Sequence, residues 1–285
     1  MAAPVVFDTR QFTGADAVFG RLAALIHEKS GIVLSAAKRT MVEARLVRRF
    51  EAHGVDDLDQ YVDKLFTERR IEAELPLLLD ALSMNTTSFF REPRQFKALR
   101  EEWLDALLES NGTRQLRTWS AASSTGPEVY TLAMVLSEHQ ARAGGYRFVC
   151  LGTDISREAI VEARAGTYPI RMLGPIPPPY RNKYWLACGR QGRVTHFRAR
   201  PFLRRHTRFG TMNLMARRYS VPSGLDLIFL RNVLFYFDGH TQRKVIGHLR
   251  RHLRPGGLLV LGMSEPLVPE GLGLARVAPS VYRAE

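Results

Sequence analysis

The sequence predicts an α/β fold: a parallel sheet flanked by helices, preceded by an all-helical N-terminal domain and interrupted by a small inserted β-subdomain. Three observations predict it. Residues from about 16 to 84 place their apolar side chains only at helical spacing. From about Arg114 onward, strand-like apolar runs alternate with helical ones. The stretch from about 168 to 205, with its PIPPPY run and several glycines, breaks that alternation and reads as inserted short strands. The expected boundaries are 1–88 for the helical domain and 89–285 for the α/β domain, with the insert at about 168–205.

In the first region Val18, Leu22, Leu25 and Ile26 mark one helix, Met41, Val42, Leu46, Val47 and Phe50 a second, and Leu75, Leu78, Leu79 and Leu82 another. In the α/β region LRTWSAA is a short apolar run ending in small residues. SSTGPE and the periodic VYTLAMVL follow it, giving strand, turn and helix. RFVCLGTD is a second strand ending on an acid, and LDLIFLRNVLFYF is a third, running into a loop. TQRKVIGHLRRHL is a helix closed by Arg254-Pro255-Gly256-Gly257, and LLVLG is the strand after it. Such alternation places a ligand crevice at the carboxyl ends of the strands.

The 285 residues are 45% hydrophobic and 24% charged, which is ordinary for a globular chain with a sizeable core. No apolar run approaches the roughly 20 residues of a membrane span. The start, MAAPVVFDTRQF, lacks the apolar core of a signal peptide. Two cysteines, Cys150 and Cys188, stand far apart and in no metal-ligand spacing, as expected of reduced thiols in a cytoplasmic protein. No metal site is expected. The net charge of +13 is concentrated: between Ala163 and Leu225 there is no Asp or Glu but 13 Lys or Arg, and the remainder of the chain is balanced. A block of that kind suits an acidic partner surface, phosphates or an anionic membrane, or is a solvated arginine-rich face.

Three segments carry candidate chemistry. Ala121-Ala122-Ser123-Ser124-Thr125-Gly126-Pro127-Glu128 follows the first strand, and its small residues allow a ligand to approach the backbone at a helix start. It is not a GxGxxG fingerprint, and by spacing alone Thr125 and Glu128 read as a capping box. Asp154, at the end of the second strand, suits either hydrogen bonds from ribose hydroxyls or the N-cap of the helix that follows. Met84 to Glu92 surrounds the Phe89-Phe90 pair with polar residues and reads as an interdomain linker anchored by those rings. Asn213 and Asn232, at the ends of apolar runs, are turn residues on local grounds.

Seven strings in order carry a resemblance: GIVLSAAKRTMVEARLVRRF, NTTSFFRE, WSAASSTGPEVYTLAM, GTDIS, NLM, FLRNVLFYFD and LRPGGLLVLGMSE. From about residue 16 to the C-terminus the chain resembles the chemotaxis protein methyltransferases of the CheR family. The resemblance implies a Rossmann-like class I methyltransferase sheet that binds S-adenosylmethionine and releases S-adenosylhomocysteine. It implies methyl transfer to glutamate side chains of chemoreceptors. Carried onto this chain, it implies that Asn85, Thr87, Arg91, Glu128, Asp154, Asn213, Leu214, Asn232 and Val233 bind the cofactor. It puts Arg91 and Tyr236 nearest the transferred methyl.

The resemblance further implies that the basic helix bearing Lys38, Arg45, Arg48 and Arg49 meets the acidic receptor helices. By the same resemblance the inserted subdomain is a candidate grip for an acidic receptor tail. The chain departs from the family pattern at Pro127-Glu128-Val129-Tyr130, where two consecutive glutamates followed by Pro-Tyr are usual, and at Glu51, where relatives often stay basic. The same chemistry in a chemosensory pathway other than motility remains open. A nucleic-acid methyltransferase lacks support, because the chain has no aromatic-basic recognition motif and no NPPY-type or cysteine signature. A non-catalytic adaptor is disfavoured by the intact Asn85, Arg91, Glu128 and Asp154.

Overall fold

The computed structural model describes Asp8 and residues 12–112, 114–190 and 193–285; most of the N-terminal run read above for a targeting signal lies outside them. The helical domain contains α1 (Ala17–Ser30), α2 (Arg39–His53), α3 (Leu58–Thr67) and α4 (Ile71–Leu82). The helix α3 was not foreseen from the sequence. It buries Leu58, Tyr61, Val62 and Leu65, an i, i+3, i+4, i+7 stripe, with Asp57 at the N-cap accepting from the Gln60 amide. Each fully buried aliphatic side chain of this core contributes about 1.5–3 kcal/mol.

A polar cluster lies inside this domain. Glu74 is 5% exposed and chelates Arg49 through Nε at 2.7 Å and Nη2 at 2.8 Å. Tyr61 Oη donates to the same carboxylate at 2.7 Å, and His53 Nε2 lies 3.2 Å from it. Burial alone would raise the Glu74 pKa, but the bonds from Arg49, Tyr61 and His53 outweigh it and hold the carboxyl below its ordinary range. Glu74→Ala is therefore expected to cost about 3–5 kcal/mol, since it strands the Arg49 guanidinium; urea unfolding monitored by circular dichroism measures this. Because the folded pKa is depressed, the stabilisation is present above the ordinary value of 4.5 and disappears as pH falls through the folded pKa.

The α/β domain opens with α5 (Pro93–Ala98) and α6 (Leu104–Asn111), and continues through β1 (Gln115–Ser120), α7 (Pro127–Ala143), β2 (Arg147–Asp154) and α8 (Arg157–Ala165). The insert follows as β3 (Thr167–Pro169), α9 (Pro178–Tyr184), β4 (Trp185–Arg190) and β5 (Arg193–Ala199), and α10 (Pro201–Arg205) leads back to the main sheet. Its strands form a separate antiparallel sheet in the order β3-β5-β4. The main sheet then gains β6 (Thr207–Thr211), β7 (Leu225–Leu230), β8 (Leu253–Leu261), β9 (Leu274–Ala278) and β10 (Val281–Ala284), with α11 (Gly239–His252) between β7 and β8.

The seven strands of the main sheet stand in the order β6-β2-β1-β7-β8-β10-β9. Strands β6, β2, β1, β7 and β8 are mutually parallel, and β10 is antiparallel to both neighbours. The chain steps from β1 through β2 to β6 on one side and resumes with β7 on the other, so a switch point opens above β1 and β7. All of β7 is buried, as a strand covered on both faces must be.

Three local readings are corrected. Gly126, at φ +96°, is the N-cap of α7 and no side chain caps that helix, so Thr125 and Glu128 form no capping box. A Cβ at Gly126 would lie 2.9 Å from the Ala163 Cβ, so the turn is built for glycine. The N-cap of α8 is Ser156, whose hydroxyl accepts from the Ala159 amide, and not Asp154. The run Arg254–Gly257 does not separate a helix from a later strand: β8 starts at Leu253, which pairs with Leu225, and the register shifts before Leu227 pairs with Leu258. Arg254 Nε reaches the buried Asp226 at 2.6 Å and pins this irregularity.

The edge strand β6 is blunted by arginines from the acid-free segment. Arg164 donates through Nε and Nη2 to the Phe209 carbonyl, and Arg208 Nη1 to the Thr207 carbonyl. Part of the charge block therefore serves the fold. No described helix is long and apolar enough to cross a membrane. Among the described residues no His, Cys, Asp and Glu cluster could hold a metal.

Candidate active site

A cleft with an empty volume of about 960 Å³ opens at the switch point. Its floor is the carboxyl ends of four strands: Ala121 to Ser124 after β1, Asp154 and Ile155 at β2, Met212 to Leu214 after β6, and Arg231 to Val233 after β7. Its roof is the segment from Ser83 to Arg91 that joins the two domains, with Ser30 and Ile32 of the helical domain beside it. The domains are stitched at this seam. His27 Nε2 lies 2.8 Å from Asp238 Oδ2, the Val33 amide donates to the Tyr236 carbonyl at 2.8 Å, and Asn213 Nδ2 donates to the Lys29 carbonyl.

Phe89 anchors the joining segment. It is fully buried, edge-on to Tyr168 at 5.1 Å and to Trp185 at 5.0 Å. Four non-glycine residues around the cleft hold positive φ: Phe90 at 51°, Glu92 at 56°, Ser124 at 49° and Asn232 at 61°. Each left-handed residue costs of order 1–2 kcal/mol. Tertiary hydrogen bonds hold two of them there: the Phe90 amide donates to Thr131 Oγ1 at 3.2 Å, and the Ser124 amide to Asp154 Oδ2 at 2.7 Å.

Asn85, Thr87, Arg91, Glu128, Asp154, Asn213, Leu214, Asn232, Val233 and Tyr236 all line this one cleft. Asp154 also accepts from the Ser156 amide at 3.0 Å, so its carboxylate braces two loops as well as facing the cleft. Burial raises its pKa against the pull of those amide bonds. Glu128 accepts from Ser120 Oγ and from Arg231 Nη1, each at 2.8 Å. Arg91 Nη1 donates to the Thr86 carbonyl at 3.1 Å. Burial raises the Tyr236 pKa, opposed by the charges of Arg45 and Arg91, so the phenol is protonated and a hydrogen-bond donor at neutral pH.

Lys38, Arg45, Arg48 and Arg49 lie outside the cleft lining. Lys38 Nζ donates to the Val33 carbonyl, Arg45 Nη1 to the Leu82 carbonyl at 3.0 Å, and Arg49 is committed to Glu74. Arg48 is exposed.

Arg231 escaped the sequence reading. Its side chain is 1% exposed, paired with Glu92 Oε2 at 3.0 Å and Glu128 Oε2 at 2.8 Å, and Nη2 donates to the Arg91 carbonyl at 2.6 Å. Its guanidinium lies 5.4 Å from the Phe96 ring centre and 5.7 Å from that of Phe229. The available signal was a cation directly after the apolar stretch LIFL of a buried strand, which needs buried partners to survive there.

The lining suits a nucleoside carrying an amino-acid chain. Ser123 Oγ is buried in it with no hydrogen-bond partner among the described residues, an acceptor and donor awaiting a ligand. Ile155, Met212, Leu214 and Val233 supply apolar walls, and Asn85, Asp154, Asn213 and Asn232 supply polar groups. Counted along the chain within the main sheet, the strand order is 3-2-1-4-5-7-6 with the seventh strand reversed. That sheet and this cleft define a Rossmann-like class I methyltransferase dependent on S-adenosylmethionine.

Residues 85–277 match the CheR methyltransferase, SAM binding domain, and residues 17–83 match the CheR methyltransferase, all-alpha domain. The chain belongs to the CheR methyltransferase family. It is 36% identical over 260 residues to a chemotaxis protein methyltransferase of Salmonella typhimurium, covering 90% of this chain and 86% of that one. It is 35% identical over 260 residues to that of Escherichia coli, covering 90% and 87%. With chemotaxis protein methyltransferase 1 of Pseudomonas aeruginosa it shares 31% identity over 282 residues, covering 96% and 100%.

Proposed function

We propose that this chain esterifies glutamate side chains on the cytoplasmic helices of chemoreceptors, with Arg91 and Tyr236 arranging the reacting groups. The observation that supports the reading most is their presence in one cleft with Glu128, Asp154 and Asn232 at the carboxyl ends of the strands. S-adenosylmethionine, when bound, supplies an electrophilic methyl group on a sulfonium. A glutamate of pKa about 4.3 is already ionised at neutral pH, so the chain needs no general base. The lining accords with this: among the described residues it holds no histidine, and Glu128 is held by Arg231 and Ser120.

The chain's work is alignment and exclusion of water. The Arg91 guanidinium orients the incoming carboxylate through its fork of donors. The protonated Tyr236 hydroxyl donates one hydrogen bond. The small residues Ala121 to Ser124 keep side chains out of the cleft floor, and the 83–91 segment closes over it. Of Lys38, Arg45, Arg48 and Arg49, the exposed Arg48 and the partly exposed Arg45 are the ones left to meet acidic receptor helices.

The test is incubation with labelled S-adenosylmethionine and a receptor cytoplasmic fragment, followed by alkali. A carboxyl methyl ester releases volatile methanol; label that stays non-volatile ends the reading. On the insert, Arg198 and Arg200 are exposed and lack acidic neighbours in sequence, which supports the acidic-tail grip. Titration with an acidic tail peptide is expected to weaken about tenfold on Arg198→Glu with Arg200→Glu. No affinity of the wild type for the peptide removes the grip.

A further inference from the structure

Glu265 closes the motif LGMSE and takes no part in the site described above. After β8 the chain turns, with the Glu265 amide donating to the Gly262 carbonyl at 3.1 Å, and sends the Glu265 side chain back under the loop that follows β7. There Oε1 accepts from the Val233 amide at 2.6 Å and from the Leu234 amide at 3.3 Å. These amides open the short 3₁₀ turn Leu234–Tyr236. Oε2 is buried with no hydrogen-bond partner among the described residues. The fit is close: a Cβ on Gly262 would meet Asn232 Nδ2 at 3.0 Å and the Glu265 Cγ at 3.1 Å. The carboxylate thus sits beneath a turn whose first residue, Asn232, is held at φ +61° and whose last, Tyr236, faces the cleft.

We propose that Glu265 is a positioning residue: its ionised carboxylate fixes the Asn232–Tyr236 turn by drawing the Val233 and Leu234 amides together, and so places Asn232, Val233 and Tyr236 for cofactor and methyl acceptor. The proposal rests on the reading of that turn as part of the cofactor site. An anion gathering successive amides at the start of a 3₁₀ turn is favourable on electrostatic grounds. The ionised form does the gathering most strongly, because charge-assisted bonds are about twice as strong as neutral ones. Burial raises the Glu265 pKa to about 7 against the pull of these amides, so the group is half-ionised near neutrality. The titratable groups around it are Tyr236 on the same turn and Glu92, which accepts from the Met263 amide; Arg231, paired with Glu92, is the neighbouring cation.

The sign of the linkage sets function against stability. The raised pKa means that the stabilisation is full below the ordinary 4.5 and is lost as pH rises through about 7. Ionised Glu265 orders the site at the expense of the fold.

The experiment uses the full chain and calorimetric binding of S-adenosylhomocysteine between pH 5.5 and 8.5, which needs no methyl acceptor. Wild-type affinity is expected to rise severalfold from the acid to the alkaline end. Glu265→Gln, which keeps an acceptor but no charge, is expected to bind with a flat profile near the acid-side wild-type level. Its melting temperature at pH 8 is expected to equal or exceed that of wild type. Glu265→Leu is expected to lose at least tenfold in affinity while folded by circular dichroism. A Gln variant with the wild-type pH profile, or a folded Leu variant with wild-type affinity, overturns the proposal. Loss of product binding in the wild type at every pH would instead overturn the cofactor-site reading on which it rests.

Discussion

Replacing Arg91 by alanine lowers turnover about 10²–10³-fold, equivalent to about 3–4 kcal/mol of barrier, and changes S-adenosylmethionine affinity by less than about threefold. The expectation follows from where the guanidinium stands. It lines the cleft, and its charge reaches Tyr236, which lies at the end of the turn after β7. Its backbone carbonyl is gripped by Arg231, so the main chain holds its place when the side chain is removed. What is lost is the donor fork that orients the acceptor carboxylate, and that interaction matters most as the transition state forms. Single-turnover rates with a receptor fragment, set beside calorimetric affinities, separate the two quantities. Equal losses in both would reduce Arg91 to a cofactor ligand.

Arg231→Met unfolds the protein far more readily than any surface change, by about 3–5 kcal/mol, and abolishes binding of S-adenosylmethionine where the fold survives. Methionine matches the stem of the arginine but leaves two carboxylates facing each other without their shared cation. The side chains of Glu92 and Glu128 are 20% and 13% exposed. Burial alone would raise the Glu92 pKa. Bonds from Arg231, the Met263 amide and Asn232 win, and they hold it below its ordinary value.

The wild type therefore draws stability from ionised Glu92 above about pH 4.5 and loses it as pH falls through the depressed folded value. Adding Glu92→Gln to Arg231→Met is expected to restore part of the lost stability, because one stranded charge is gone. Denaturant unfolding of the single and double variants, read as a cycle, measures the coupling. Additive losses would mean that the buried pair contributes nothing of its own.

The helices of the N-terminal domain and the alternation of the α/β domain were legible because burial follows period. Leu22, Leu25 and Ile26 are buried where their spacing says a helix turns inward. The helix α3 was missed although its stripe is as regular as any, because Asp57 and Asp59 bracket its start and dilute the apolar signal. Capping chemistry was misread at Thr125 and Glu128. Spacing of three describes a capping box, but Gly126 takes the N-cap and Glu128 turns toward a strand distant in sequence. The cations at the start of α2 and along it show the same limit. Lys38, Arg45, Arg48 and Arg49 look equivalent on a helix, yet Arg49 is taken by Glu74 of α4, and Lys38 and Arg45 donate to backbone carbonyls.

The order of seven short motifs was enough to determine the family, and periodicity was enough for the layers of the fold. Those signals are local, written within one turn or one strand. Tertiary structure alone decided which charges are used up within the protein and which face the cleft. Arg231 finds Glu128 across 103 residues and Glu92 across 139, and Glu265 meets the Val233 amide across 32. The pairing of buried charges depends on the distance and dielectric created when separate elements pack together, and no spacing along the chain encodes either.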